Sequence, residues 1–354
     1  YQQMVEIMKA YSRENLKMIA FDEPTASLSD SEIDSLFRII RKLKAEGKVI
    51  IYVSHRMAEI RQIADRVAIF KDGRFVGDSP MDAITDKELV KKMVGRDLGD
   101  IFSGLSRNTA IGDVVLEVKN LSSPFLKDAS FQVRAGEVVG FSGLVGAGRT
   151  EVVRAIIGAD PRTGGEVLLN GKPLNCRTPH DAIVNGVVMV PEDRKLQGII
   201  PRMSVGRNIS IGSLDQITNR LGFVNTRREE QIGLDGKANF NIKTPNLEKP
   251  IVELSGGNQQ KAIVARWMST KPEVLILDEP TKGIDVGAKS EFYNMICEFA
   301  KEGLAVILIS SELPEVIGLS DRIIVMRGRR IVGEISAKDA TEEKLLSMAM
   351  MEET

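Results

Sequence analysis

An internal repeat constrains the fold of this chain more than any other feature of the sequence. The tetrapeptide Asp-Glu-Pro-Thr stands at 22–25 and again 256 residues later, at 278–281. The same offset relates further pairs: Glu46-Gly47 and Glu302-Gly303, Ser54 and Ser310, Glu59 and Glu315, Asp65-Arg66 and Asp321-Arg322, and Gly77 and Gly333. So long a period indicates duplicated domains, because solenoid and propeller repeats have periods of about 20 to 50 residues.

The two copies differ in length. The second copy continues far upstream of Gln259, whereas the matching Gln2-Gln3 of the first copy lies at the start of the sequence. We therefore expect three parts: the C-terminal part of the first copy at 1–95, a linker at 96–112, and a complete second copy at 113–350. The first copy would then hold an incomplete sheet with an exposed apolar edge. The polar stretch 203–253 predicts a mainly helical subdomain at about 195–270.

Short apolar runs alternate with amphipathic stretches in both copies, a pattern typical of βαβ units. It predicts an α/β fold with a largely parallel sheet. The expected strands are Val49–Val53, Val67–Phe70, Val274–Leu277, Ala305–Ile309 and Ile323–Met326, and the expected helices include Glu32–Ala45, Asp86–Val94 and Lys289–Lys301.

Composition excludes several classes of protein. The formal net charge of −1 provides no overall basic field for nucleic acid. No apolar run approaches the roughly 18 residues that a membrane-spanning helix needs, so any work at a membrane would go through a partner. The two cysteines, Cys176 and Cys297, lack metal-ligand spacing and indicate a reducing compartment. The sequence begins with Tyr and no signal peptide follows, which indicates a cut or incomplete start.

A glycine-rich loop, Gly-Leu-Val-Gly-Ala-Gly-Arg-Thr at 143–150, lies between the apolar run 138–141 and the helical stretch 151–157. Strand, glycine loop and helix form the context in which backbone N–H groups and a helix N-terminus bind phosphate. Thr150 stands where a hydroxyl binds Mg²⁺, and Arg149 replaces the usual Lys. The alternative is a chance glycine-rich turn, which would occur in roughly two of every hundred chains of this length.

Two further motifs follow the loop. The apolar run 274–277 ends in Asp278 and Glu279, which could hold Mg²⁺ and orient or deprotonate a water at the end of a parallel strand. The stretch Leu-Ser-Gly-Gly-Asn-Gln-Gln at 254–260 opens another helix and offers a second anion site. The alternative for Ser255 is a simple helix N-cap.

In this order the three motifs resemble those of the ATP-binding-cassette ATPases, most closely the double-cassette subunits of ribose- and galactose-type monosaccharide importers. The resemblance covers almost the whole chain and implies a P-loop fold with an inserted helical subdomain, a partial first cassette and a complete second one. It also implies that two cassettes enclose two ATP molecules. Each ATP contacts the phosphate loop of one cassette and the Ser-Gly-Gly signature of the other. The missing upstream part would make this chain a fragment of a protein of roughly 500 residues.

The resemblance assigns roles by position. The expected catalytic residues are Glu23, His55 and Glu279, and the expected Mg²⁺ ligands are Thr150 and Asp278. The residues expected to bind nucleotide are Phe125, Gly143, Gly146, Ala147, Gly148, Arg149, Thr150, Glu192, Ser255, Gly256, Gly257, Asp278 and Ser311.

Three of these positions depart from the family pattern, with Arg149 for Lys, Glu192 for Gln and Ser311 for His. We therefore expect the second cassette to bind nucleotide but to hydrolyse it slowly. His55 would serve the first cassette, whose phosphate loop is absent from this sequence, so the chain alone would be a poor ATPase.

The resemblance implies a peripheral subunit on the cytoplasmic face of the membrane that binds ATP and Mg²⁺ and drives sugar uptake, with ribose as the first choice of sugar. Its partners would be transmembrane permease subunits, contacted around 194–208, and indirectly a sugar-binding protein, with no nucleic acid. Two alternatives remain: a soluble tandem cassette protein that acts on ribosomes, and a regulatory cassette that binds nucleotide without catalysis.

Overall fold

The computed structural model describes residues 16–22, 24–25, 30–54, 57–71, 74–85, 88–89, 92, 102 and 104–350. The chain divides into two compact units, the first comprising residues 1–103 with 285–287 and the second residues 104–284 with 288–354. The division at 103 and 104 falls inside the segment 96–112 that the sequence analysis assigns to a linker. No helix among the described residues is both long enough and apolar enough to cross a lipid bilayer.

The first unit alternates strands and helices. Its elements are β1 (Met18–Asp22), α1 (Asp30–Ala45), β2 (Val49–Val53), α2 (Met57–Ile63), β3 (Arg66–Lys71), β4 (Arg74–Pro80) and a 3₁₀ helix (Met81–Ala83). β1 and β2 pair in parallel, and β3 and β4 form an antiparallel hairpin. Helix α1 buries Leu36, Phe37, Ile40 and Leu43, whose helical spacing forms one apolar stripe, in a cluster with Ile19 and Phe21 of β1.

The second unit contains the remaining elements. In chain order they are β5 (Val114–Ser123), β6 (Leu126–Arg134), β7 (Val138–Gly143), α3 (Arg149–Ile156), β8 (Gly164–Leu169), β9 (Lys172–Pro173), α4 (Pro179–Val184), β10 (Val187–Val190), a π-helical turn (Arg194–Gly198), α5 (Val205–Ser210), a 3₁₀ helix (Ile211–Ser213), α6 (Leu214–Ile217), α7 (Thr226–Asn239), a 3₁₀ helix (Ile251–Glu253), α8 (Gly256–Met268), β11 (Val274–Asp278), α9 (Val286–Lys301), β12 (Ala305–Ile309), α10 (Leu313–Leu319), β13 (Arg322–Arg327), β14 (Arg330–Ser336) and α11 (Glu342–Met350).

The main sheet of the second unit has six strands in the order β10-β11-β12-β7-β13-β14. The first five run parallel, and β14 pairs antiparallel with β13. Every residue of β11 and β12 is buried, as expected for strands whose two faces are both covered. Because parallel strands end at the same edge, the loops after β7, β11 and β12 lie side by side, and the candidate site forms there.

The sheet is less parallel than the sequence pattern predicts. A separate four-stranded sheet, with the order β6-β5-β8-β9, is antiparallel throughout. In β6, buried and exposed residues alternate, so this strand lacks the continuous apolar run by which the parallel strands were recognised. Strand β4 extends to Pro80, so regular structure continues past Asp78, and most of the helix expected at 86–94 lies outside the described residues.

The internal repeat extends to strand register. Each unit contains a parallel strand pair and an antiparallel hairpin, and in both units these strands pair residues that are equivalent at the repeat offset. Each hairpin also carries a bulge at the equivalent place, after Ile69 and after Val325. The equivalent pairs are Met18–Val49 and Val274–Ala305 in the parallel strands, and Arg66–Pro80 and Arg322–Ser336 in the hairpins. The offset of 256 residues therefore relates backbone structure as well as sequence.

The two copies differ in how their parallel strands are covered. In the first unit Met18, Val49, Ile51 and Val53 are each about half exposed and share one face of the β1–β2 sheet. Their counterparts in the second unit are almost completely buried: Val274, Ala305, Ile307 and Ile309. The expectation for the first unit was an exposed apolar edge, whereas the described residues show a half-exposed apolar face of its small sheet.

Candidate functional site

The glycine-rich loop joins the end of β7 to the start of α3. Three of its glycines, Gly143, Gly146 and Gly148, have a positive φ. Gly143 has φ of 155°, and a Cβ there would lie 2.4 Å from the carbonyl oxygen of Met326 on the neighbouring strand. Gly148, with φ of 106°, is the residue before helix α3. The first N–H groups of that helix have no intrahelical partner, so this loop is suited to bind phosphate oxygens.

Asp278, the last residue of β11, meets Thr150 in the first turn of α3. The Thr150 hydroxyl donates to Asp278 Oδ2 at 2.9 Å, and Asp278 Oδ1 is buried without a hydrogen-bond partner in the described part of the chain. Burial raises the pKa of Asp278 to about 7. A buried carboxylate oxygen with unused acceptor capacity, beside a hydroxyl, is a donor set that fits Mg²⁺.

Glu279 follows Asp278 with φ of 46°, a left-handed conformation that is uncommon for a residue with a side chain. Its carboxylate accepts a hydrogen bond of 3.0 Å from the Ser311 hydroxyl, and Arg149 Nη2 lies 3.8 Å from its other oxygen. Arg149 also donates to the Ser310 carbonyl at 2.9 Å. The structure thus brings together three predicted site residues, Arg149, Glu279 and Ser311, from three different segments.

One cavity of about 380 Å³ gathers most of the predicted residues of the second copy. It is lined by Val145, Gly146, Ala147, Gly148, Arg149, Thr150, Glu151, Glu192, Glu279, Lys282 and Ser311. Glu192 forms an ion pair of 2.7 Å with Lys282. Lys282 belongs to none of the sequence motifs, although it directly follows the repeated tetrapeptide and interrupts the match between the copies, where the first has Ala26.

A buried glutamate ties together the loops on which the site depends. Glu315, at the start of α10, accepts hydrogen bonds from Thr281, Tyr293 and Ser310. Thr281 follows the Asp278-Glu279 pair, and Ser310 precedes Ser311. Glu315 matches Glu59 at the repeat offset, but the sequence alone predicts no role for either residue.

The first unit repeats this arrangement. There Glu59 accepts from Thr25 at 2.9 Å and from Ser54 at 3.2 Å. Thr25, Ser54 and Glu59 correspond to Thr281, Ser310 and Glu315 at the repeat offset. The same carboxylate therefore joins the same two loops in both copies.

Some predicted residues lie elsewhere. Glu23 and His55 fall outside the described residues, so their roles stay predictions. Phe125 is exposed in the turn between β5 and β6 and is not among the described residues that line the cavity. Its proposed contact with adenine also stays a prediction.

The Ser-Gly-Gly signature opens helix α8 outside the cavity lining. Ser255 occupies the N-cap position, but its hydroxyl accepts from the Asn258 side chain at 2.9 Å and makes no capping bond to the helix backbone. A Cβ at Gly256 would lie 3.0 Å from the carbonyl oxygen of Gly283. Close packing against that loop therefore explains the glycine, and local capping does not explain the serine.

Comparison with known proteins agrees with this geometry. The ABC transporter family model matches residues 126–282. The arabinose import ATP-binding protein AraG of Mannheimia succiniciproducens is 53% identical over 353 residues, which is 99% of this chain and 70% of that protein.

Two solved structures share the fold. The ATP-binding cassette MJ1267 matches with a TM-score of 0.59 at 20% identity, over 67% of this chain and 99% of its own. The cbiO1 protein of Clostridium perfringens matches with a TM-score of 0.56 at 23% identity, over 66% of this chain and 93% of its own. Taken with the family model and the relative, these findings show that the chain belongs to the ATP-binding cassette ATPases of ABC transporters.

Proposed function

We propose that this chain is the ATP-binding subunit of a monosaccharide importer and that its complete cassette binds Mg·ATP but hydrolyses it slowly. The observation that carries the proposal is the cavity in which the glycine-rich loop, Thr150 and Glu279 meet, with Asp278 bonded to Thr150. Loop, hydroxyl, metal-binding carboxylate and second carboxylate are the parts that phosphoryl transfer from ATP requires.

The residues of the cavity have separable tasks. The backbone of the 143–150 loop and the N-terminus of α3 hold the phosphates, and Arg149 adds positive charge. Thr150 and Asp278 would hold Mg²⁺, which neutralises part of the phosphate charge when bound. Glu279 is placed to orient water or to accept its proton.

The contacts of Glu279 support slow hydrolysis. The Ser311 hydroxyl donates to one oxygen of this carboxylate and Arg149 Nη2 lies 3.8 Å from the other, so neither oxygen is fully available to a water molecule. Ser311 offers a short hydroxyl where the first copy has His55, and Glu192 adds negative charge where the family pattern has a neutral Gln. Both changes oppose the binding of a γ-phosphate in its reactive position.

We further propose that residues 1–95 are the C-terminal part of a first cassette, in a double-cassette protein whose upstream part is missing here. The shared strand register and the repeated Glu59 and Glu315 contacts support duplication. In such a protein the Ser255-Gly256-Gly257 signature would serve the ATP bound by the first cassette, where Glu23 and His55 would act. This division explains why the signature lies outside the cavity of its own unit.

A role in import implies permease subunits as partners and a position at the cytoplasmic face of the membrane. No helix among the described residues could itself cross the membrane. The segment 194–208, which follows Glu192, is the proposed contact with the permease. The 53% identical relative is named for arabinose import. Among sugars we therefore place arabinose before ribose, the first choice from the sequence, and a separate sugar-binding protein would deliver it.

Binding and turnover of Mg·ATP test the nucleotide part of the proposal. The wild-type chain should bind Mg·ATP with little turnover, and turnover should rise when a fragment with the upstream part of the first cassette is added. Thr150→Val should weaken Mg·ATP binding by at least about tenfold, since losing even a residue that only supports a metal ligand lowers metal affinity by roughly 10- to 100-fold. Exposed Thr163→Val is the matched control and should not change it. Full turnover by the chain alone would contradict the slow second site.

Uptake tests the transport part. The chain, the upstream fragment and the permease subunits of an arabinose importer would be reconstituted in vesicles with labelled arabinose or ribose. ATP-dependent uptake should be abolished by Glu23→Gln and reduced much less by Glu279→Gln. Binding of ATP without uptake of either sugar would contradict import of these sugars while leaving the nucleotide site intact.

The engagement of Glu279 by Ser311 and Arg149 also favours a second candidate, a regulatory cassette that binds nucleotide without hydrolysing it. In that case Glu279→Gln changes neither turnover nor uptake in the reconstituted system. A measurable loss with Glu279→Gln would exclude it.

A further inference from the structure

Lys282 lies in the nucleotide cavity but belongs to none of the motifs from which the site was predicted. It is the fourth residue after Asp278 and lines the cavity together with the glycine-rich loop and Glu279. Its ammonium group contacts Glu192 Oε1 at 2.7 Å. The hydrogen bond to Glu192 raises the pKa of Lys282, so the side chain carries a full positive charge at neutral pH.

The backbone at Lys282 is held on both sides. Its N–H donates to the Glu279 carbonyl at 3.1 Å, and Arg194 donates to the carbonyls of Lys282 and Gly283 at 3.3 Å each. The preceding residue, Thr281, is bonded to the buried Glu315. These hydrogen bonds hold the backbone of Lys282 beside the cavity, from which its flexible four-carbon stem extends.

The two cations that line the cavity differ in their freedom. Arg149 is 12% exposed, donates to the Ser310 carbonyl and lies near Glu279. Lys282 is 62% exposed, and its partner Glu192 is 46% exposed. An ion pair so exposed to water contributes little to stability. Lys282 can therefore exchange the Glu192 carboxylate for a phosphate oxygen at small cost.

The internal repeat supports a specific task for Lys282. The copy that has Ser311 at the position of His55 also has Lys282 at the position of Ala26. The second copy thus has a cationic side chain next to the repeated tetrapeptide and a serine after β12, where the first copy has Ala26 and His55. Loss of the histidine in the second copy coincides with the gain of a lysine in the same cavity.

We propose that Lys282 contacts the terminal phosphate of ATP and gives the complete cassette a preference for ATP over ADP, with Glu192 as its counter-ion when no nucleotide is bound. The proposal rests on the proposed function, since it assigns a further residue to the same nucleotide site. Lys282 supplies the positive charge that makes Glu192 tolerable beside a phosphate. The site is then built to retain ATP.

Dissociation constants for Mg·ATP and Mg·ADP in four forms of the chain test this role. The forms are wild type, Lys282→Met, Glu192→Gln and the double variant. Lys282→Met should weaken ATP binding by about tenfold, the size of one charge-assisted hydrogen bond, and ADP binding by less than about twofold. Glu192→Gln should strengthen ATP binding, because it removes a negative charge and releases Lys282.

The double variant separates contact from simple charge compensation. If Lys282 contacts phosphate, the loss of ATP preference caused by Lys282→Met persists in the Glu192→Gln background. Lys301→Met, which removes an exposed lysine paired with Glu298, is the matched control and should leave both constants unchanged. Melting temperatures of all variants confirm that each is folded.

Two outcomes would overturn the proposal. Equal losses of ATP and ADP binding in Lys282→Met would show no contact with the terminal phosphate. A loss that vanishes in the Glu192→Gln background would show that Lys282 only neutralises Glu192. Failure of the wild-type chain to bind either nucleotide would contradict the proposed function itself, and this result is distinct from both.

Discussion

Asp278 combines complete burial with an oxygen atom that lacks a hydrogen-bond partner in the described part of the chain. Both features disfavour its negative charge, and they explain why desolvation raises its pKa to about 7. A protein tolerates such a carboxylate where it is needed to bind a cation. Under the proposed function Asp278 would hold Mg²⁺, and its burial would lower the stability of the metal-free protein.

The free energy of unfolding of the metal-free protein should fall as the pH rises from about 4 to about 7. Between the ordinary Asp pKa near 4 and the raised value, the folded protein holds a proton on Asp278 that the unfolded chain has lost, so raising the pH favours unfolding. Relative to Asp278→Asn, the wild type should lose about 2 kcal/mol of unfolding free energy between pH 5 and pH 7.

Urea unfolding in EDTA and without nucleotide, at several pH values, measures this difference. Asp278→Asn carries no titrating group at the position and is the internal reference for all other ionisable residues. If the free energies of unfolding of the two proteins changed equally with pH, this result would contradict the raised pKa of Asp278.

Single residues also show how far sequence reasoning reaches. Thr150, Asp278 and Glu279 were predictable because each has a fixed place in a short motif next to a strand or helix. Lys282 was not, because its importance comes from meeting Glu192, a residue 90 positions away, and no local pattern encodes that meeting.

At the scale of elements, the glycine-rich loop is held by its neighbours as well as by its own sequence. Gly143 faces the carbonyl of Met326, whereas a Cβ at Gly146 would meet no atom within 4 Å although φ there is 79°. The two glycines therefore serve different needs. Gly143 allows close approach of two strands, and Gly146 allows only a left-handed turn.

Alanine substitution should separate these needs. Gly143→Ala should destabilise the protein by about 2 to 3 kcal/mol and abolish detectable Mg·ATP binding, because the strand and loop must move to admit the Cβ. Gly146→Ala should cost about 1 kcal/mol, the price of a left-handed alanine. Thermal unfolding and nucleotide titration of both variants provide the comparison. If both variants lost the same stability and the same affinity for Mg·ATP, the close approach of Gly143 to Met326 would add nothing to the effect of its positive φ.

The Glu315 cluster should stabilise the ends of β11 and β12 as a unit. Glu315→Ala removes the acceptor of three buried hydroxyl donors and should cost about 3 kcal/mol. Exposed Glu298→Ala is the control and should change stability by less than about 0.5 kcal/mol. Denaturant unfolding measures both, and similar stability of the two variants would contradict a structural role for Glu315.

Elements were predictable where the sequence contains an unbroken apolar run, whether the strand is buried on both faces, as β12 is, or exposed on one, as β2 is. Strands β2 and β12 have the predicted bounds, Val49–Val53 and Ala305–Ile309, and β11 exceeds the prediction by one residue. The antiparallel strands β5, β6, β8 and β9 were not assigned. Their sequences alternate or are short, and their pairing depends on distant partners.

At the scale of the whole molecule, nucleotide should protect one unit only. The glycine-rich loop that we propose binds phosphate lies in the second unit, so Mg·ATP should slow backbone hydrogen exchange around 143–156 and 274–283. Exchange in β1, α1 and β2 should not change at concentrations where the chain is monomeric. Exchange followed by mass spectrometry measures both regions, and equal protection of the first unit would contradict a nucleotide site confined to the second.

The exposed face of the β1–β2 sheet has a consequence for how the protein behaves in solution. Met18, Val49, Ile51 and Val53 present to water the positions that the second copy buries. Salts such as sulfate strengthen the association of apolar surfaces, so they should lower the solubility of this chain. A charged side chain at Ile51 would counter this without touching the cavity. The surface that distinguishes the two copies therefore limits the concentration at which this protein stays in solution.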